Sequence, residues 1–141
     1  MKNTATSLLS TARQLRGELS RATALLADPN SDRELRGYLA VSYALAAAAL
    51  EFADSGYSSI GTRYGIARNY AAPADAATQL VVALDQILYS SPELDREELG
   101  GANFLGRSLA RLEFLAAELA AESAAIVEIS VGQIGRIGGS Y

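Results

Sequence analysis

The stretch LGRSLARLEFLAAELAAESAAI, residues 105–126, decides the fold. Leu105, Leu109, Leu112, Ala116, Leu119, Ser123 and Ile126 recur at alternating intervals of four and three. On a helix of 3.6 residues per turn that spacing keeps one stripe on one face, as helices packed nearly parallel require. The segment predicts a long helix that starts near Ala102 and runs at least to Ala125.

The same spacing recurs upstream. Leu8, Ala12, Leu15, Leu19, Ala22 and Leu26 predict a first helix from about Thr4 to Ala27. Asp28-Pro29-Asn30 ends it, because proline cannot continue the hydrogen-bond ladder. Ser31-Asp32-Arg33-Glu34 reads as a capping box that opens a second helix. Its seam is Leu39, Tyr43, Ala46, Leu50 and Ala53. Residues Ala44–Ala49 are small on nearly every side, which predicts a central helix in contact with several others. Pro73 suits the first position of a third helix, running to about Tyr89 with seam Ala77, Leu80, Leu84 and Ile87. Ser91-Pro92-Glu93 restarts a short helical turn through Leu99, and Gly100-Gly101 breaks it.

Two segments depart from this pattern. Tyr57, Ile60, Tyr64, Ala67 and Ala71 keep the helical spacing, but Gly61 and Gly65 each weaken it by about 1 kcal/mol relative to alanine. An additional short or irregular helix over 57–71 is expected there. After Ile126, Val127, Ile129 and Val131 alternate with Glu128, Ser130 and Gly132, a strand period. Ile134 and Ile137 follow among further glycines. β-branched residues and glycine disfavour a helix interior, so an extended tail is expected. The expected fold is therefore all-α: a four-helix-type bundle over residues 1–126, the irregular segment 57–71, and an extended Gly/Ile-rich C-terminal tail over 127–141.

Composition narrows the chemistry. The chain of 141 residues contains no histidine, cysteine or tryptophan. A ferritin-like di-metal site needs Glu-x-x-His pairs, which are absent. Thiolate metal sites and disulfides are excluded. Serine nucleophiles lack a histidine base, and the only lysine is Lys2. The glycines at 132, 135, 138 and 139 are not followed by the Lys-Ser/Thr and helix of a phosphate loop. Glu118 and Glu122 share a helix face and offer half of a carboxylate site for Mg²⁺ or Mn²⁺, but they lie off the apolar seam, as a solvated face does. No catalytic residue, metal ligand or cofactor emerges, and the expectation is a protein that is not an enzyme.

Charge bears on partners. The net charge of −4 argues against general nucleic-acid binding, which needs cations to neutralise phosphate. Residues 1–72 carry eight bases and six acids, whereas residues 73–141 carry four bases and ten acids. Such halves attract one another, within one chain or between neighbours. The longest nearly apolar run, Leu39–Leu50, is too short to span a bilayer. With no apolar run of signal-peptide length at the start, a cytoplasmic or virion-associated chain is expected.

Two surfaces stand out as candidates. No acid occurs between Asp54 and Asp75, and the interval holds Tyr57, Arg63, Tyr64, Arg68, Asn69 and Tyr70. Tyrosine and arginine are the residues of interface hot spots. The Arg68-Asn69 pair resembles one element of HEPN-type RNases, but their histidine is missing, which excludes an active member of that class. The second candidate is the tail, with Val127, Ile129, Val131, Ile134 and Ile137 either folding back over their own bundle or reaching a neighbouring copy. The functional expectation is a non-enzymatic, self-associating structural or scaffolding subunit of a multi-copy assembly, such as a virion component or filament. Its partners are copies of itself or other assembly subunits. The alternative is a helical module that binds a protein or small ligand through Tyr57–Tyr70.

Overall fold

The computed structural model describes residues 4–60, 70–90 and 102–138. Among them are four α-helices and no strand: α1 (Thr4–Ala24), α2 (Asp32–Ile60), α3 (Ala71–Ser90) and α4 (Ala102–Gly138). The chain is an all-α bundle. The helices form a closed ring in which α1 packs on α2 and α4, and α3 packs on α2 and α4. Successive helices run antiparallel. Arg36 on α2 donates to the Leu88 carbonyl of α3 at 3.2 Å, and Arg111 on α4 donates to Gln79 of α3 at 3.0 Å.

The core is built from the predicted spacing. On α1, Leu8, Ala12, Leu15, Leu19 and Ala22 are fully buried. On α4, all seven seam residues from Leu105 to Ile126 are buried. On α3, Ala77, Leu80, Leu84 and Ile87 are joined upstream by Tyr70 and Pro73, which extend the same line. Fully burying one leucine contributes about 2 kcal/mol, so these stripes supply most of the stabilisation.

On α2 the buried line is Leu35, Leu39, Ser42, Ala46, Ala49, Ala53 and Gly56, again spaced by fours and threes. It is shifted from the predicted seam, and Tyr43 and Leu50 pack from its flank, half-buried. The small residues let α1 and α3 approach the α2 backbone. Ser42 tolerates full burial because its hydroxyl donates to the Tyr38 carbonyl at 2.8 Å.

Several boundaries differ from expectation. Helix α2 continues beyond its last predicted seam residue, Ala53, through Tyr57 to Ile60, so residues 57–60 are its last turn and not part of a separate helix. Residues 61–69, the rest of the expected irregular segment, and 91–101, which include the expected short turn through Leu99, lie outside the described residues. Helix α3 begins two residues before Pro73, where a proline in the first turn forfeits only an amide that has no helical partner. A further cap lies ahead of Ser31, on the 3₁₀ turn that leads into α2. Asp28 accepts from the Asn30 amide at 3.0 Å and from the Ser31 hydroxyl at 3.0 Å, and Pro29–Ser31 form a 3₁₀ turn leading into α2.

The largest correction concerns the tail. Over residues 127–138 it is not extended: α4 continues helically from Ala102 to Gly138, 37 residues in all, and 139–141 lie outside the described residues. The strand-like alternation at Val127, Ile129 and Val131 coexists with helical spacing at Val127, Val131 and Ile134. Extending an existing helix avoids the cost of nucleation, and that outweighs the weak propensity of β-branched residues and glycine.

The cap yields a direct prediction. Asp28→Ala is expected to cost about 1 kcal/mol in urea unfolding, and Ser31→Ala distinctly less. The reverse order would return the cap to Ser31.

Candidate functional site

Of the first candidate cluster, Tyr70 alone has a described side chain. Tyr57 sits on the last turn of α2, while Arg63, Tyr64, Arg68 and Asn69 lie outside the described residues. Tyr70 is fully buried. Its ring lies over Gly56, where a Cβ would fall within 3.0 Å of ring carbons, so only glycine fits beneath it. Gly56 is therefore a packing residue. The Tyr70 hydroxyl is buried without a hydrogen-bond partner among the described residues, and burial pushes it above its ordinary value of 10.0.

The second candidate lies on α4. Val127 is half-buried against the core, and Ile129, Val131, Ile134 and Ile137 belong to the continuing helix. Arg13, Arg16, Gly17 and Ser20 of α1 share one groove with Glu113 of α4, which fixes the register of that pair. Antiparallel helices rise 1.5 Å per residue, so Thr4 falls level with roughly Ala125. The remainder of α4, about a dozen residues or 18 Å, runs past the described start of α1.

Two polar clefts lie between the helices. The groove between α1 and α4, about 450 Å³, pairs exposed Arg13 and Arg16 with Ser20 and Glu113. It is an open surface that supplies cations but no nucleophile activated by a base. A smaller cleft of about 140 Å³ between α3 and α4 is lined by Asp75, Gln79, Glu118 and Glu122. Gln79 donates to Asp75 at 3.2 Å and accepts from Arg111, so its polar groups tie the two helices together. Glu118 and Glu122 are exposed, and among the described residues no group of three or more acids is placed to hold a metal ion. Nor is any helix among them long and apolar enough to cross a membrane.

A third surface was not singled out from the sequence. On the outer side of α2, Gly37, Ala40, Val41 and Ala44 are exposed, and Ala47 and Ala48 are half-buried. Val41 retains 47% of its surface in solvent. Exposed Arg33 and Glu51 bracket this uncharged face. The expected central helix with several neighbours is instead a corner helix that packs on α1 and α3 and turns its third apolar side outward. The signal was present: four turns of α2 carry no charge between Arg36 and Glu51.

No protein-family model matches the chain, and no curated protein or solved structure shows significant similarity to it.

Tyr70 supplies a test of the local packing. Folding raises its pKa, so the folded chain holds that proton more tightly than the unfolded chain. The associated stability is intact below pH 10 and is lost as pH rises beyond it. Tyr70→Phe removes the unpartnered hydroxyl and is expected to gain about 1 kcal/mol at neutral pH. It is also expected to show a shallower loss of stability in alkaline urea titrations. A variant less stable than the parent would show that the hydroxyl has a partner.

Proposed function

We propose that the chain is a non-enzymatic structural subunit that self-associates into a multi-copy assembly, of the kind that builds a virion or a filament. One observation carries this reading: α4 runs past the described parts of both helices it packs on, α1 and α3. Its 37 residues compare with 21 in α1 and 20 in α3. By its spacing, the apolar pattern does not stop where the described part of α1 begins. A separate apolar line, Val127, Val131 and Ile134, offset by one residue from the core seam, lies on the overhang, whereas the seam itself continues through Ser130 and Gln133 to Ile137. An apolar helical stretch that passes the end of its neighbours favours burial against a further surface, and in a multi-copy assembly an adjoining copy provides one.

The absence of histidine and cysteine from the sequence agrees with this reading, as does the separation of basic and acidic halves, which favours association between copies. The alternative, a binding module centred on Tyr57–Tyr70, loses its anchor at Tyr70, which is spent on packing over Gly56. The proposed location, cytoplasmic or within a virion, follows from the same reading.

The test is the double variant Ile134→Asp plus Ile137→Asp in the full chain. Sedimentation velocity is expected to show the large species reduced to one or two subunits, with far-UV circular dichroism still helical. A sedimentation profile identical to the parent's would remove the overhang from the assembly.

A further inference from the structure

The outer face of α2 has an order of its own. Arg33, Gly37, Ala40, Ala44, Ala47 and Glu51 are spaced by fours and threes, and the series reads the same from either end. Ser42 lies midway along it. This second seam is distinct from the buried line Leu35–Gly56 and occupies the opposite side of the helix.

We infer that α2 pairs with α2 of a second copy of this chain, antiparallel, about a two-fold axis level with Ser42. The inference rests on the self-association proposed above and names the contact. Three independent observations support it. First, an antiparallel copy sets Arg33 opposite Glu51 of the partner subunit, and the two-fold repeats the pair at the other end. Between them Gly37 meets Ala47 of the partner subunit, and Ala40 meets Ala44 of the partner subunit. This is the self-complementarity that an isologous interface demands. The parallel alternative places Arg33 on Arg33 of the partner subunit and Glu51 on Glu51 of the partner subunit, and like charges repel.

Second, Arg33 and Glu51 are exposed and make no ion pair within the chain among the described residues. They are available to a neighbour. Third, Gly37 has no packing reason inside its own bundle, since a Cβ there would meet nothing within 4 Å. Glycine at an exposed helix position is less favourable than alanine, and close approach of another backbone gives it a role. A helix that is apolar on nearly every side is ordinarily buried on every side, and a second copy completes that burial.

The absence of cysteine makes a cross-linking test clean. Gly37→Cys and Ala47→Cys are prepared as separate variants of the full chain, then oxidised alone and mixed. In the proposed register the two positions meet within disulfide reach only between different variants. Identical positions are about 15 Å apart along the axis. The mixture is expected to form the covalent dimer at least about tenfold faster than either variant alone, a margin set by the separation beyond disulfide geometry. Equal rates in the mixture and in the single variants would overturn the antiparallel register.

A charge exchange provides the second arm. Arg33→Glu and Glu51→Arg are each expected to weaken association about tenfold at low salt, and the double variant is expected to restore it. A parent that associates in light scattering while the mixture stays unlinked and the exchange changes nothing would refute the α2 contact and leave self-association standing. A parent that is monomeric throughout would refute both.

Discussion

Each helix of the bundle is held by the same device, a stripe of small and medium apolar side chains spaced alternately four and three residues apart. Everything else in the structure follows from where those stripes lie. Leucine fills the stripes of α1 and α4, whereas alanine, serine and glycine fill much of that of α2. A stripe of small residues contributes less apolar area per residue and so depends on close approach. Gly56 beneath the Tyr70 ring is the extreme case, in which removal of a whole side chain makes room for a larger one. The cost of that economy is a core that gains little from each residue and favours long seams.

The bundle architecture was legible wherever large apolar residues kept the spacing. Helices α3 and α4 follow their predicted stripes, and α1 follows its own from Leu8 to Ala22, with Leu26 falling in the turn past its end at Ala24. The stripe of α2 was displaced because the reading favoured Tyr43 and Leu50 over Ser42 and Ala49. Size and polarity were poor guides where neighbouring backbones come close and a serine hydroxyl is satisfied four residues back. The tail was misread for a related reason. Glycine and β-branched residues describe local preference, and a helix already 25 residues long at Ile126 continues at little further cost. Of the candidate site, the α4 positions were assigned an extended backbone, whereas the chain there is helical to Gly138. Tyr70 was placed on a surface, although its spacing to Pro73 and Ala77 puts it on the core line of α3. The outer face of α2 went unnoticed because an alanine run reads as burial, and its exposure depends on how many neighbours α2 has, which periodicity alone does not specify.

Under the proposed reading, two surfaces serve association between copies. The overhang of α4 and the palindromic face of α2 lie on different parts of the surface. If both are used, one contact closes a symmetric pair, and the other links pairs to further copies. That combination is a physical route from a small helical bundle to an extended array. It needs no cofactor and no catalytic group.

The central claim is self-association, and the most direct measurement is the solution mass of the purified chain by light scattering over a range of protein and salt concentrations. The account predicts species well above the 14.8 kDa of one chain, growing with protein concentration and loosened by salt. A single species of 14.8 kDa at every concentration and ionic strength would contradict it.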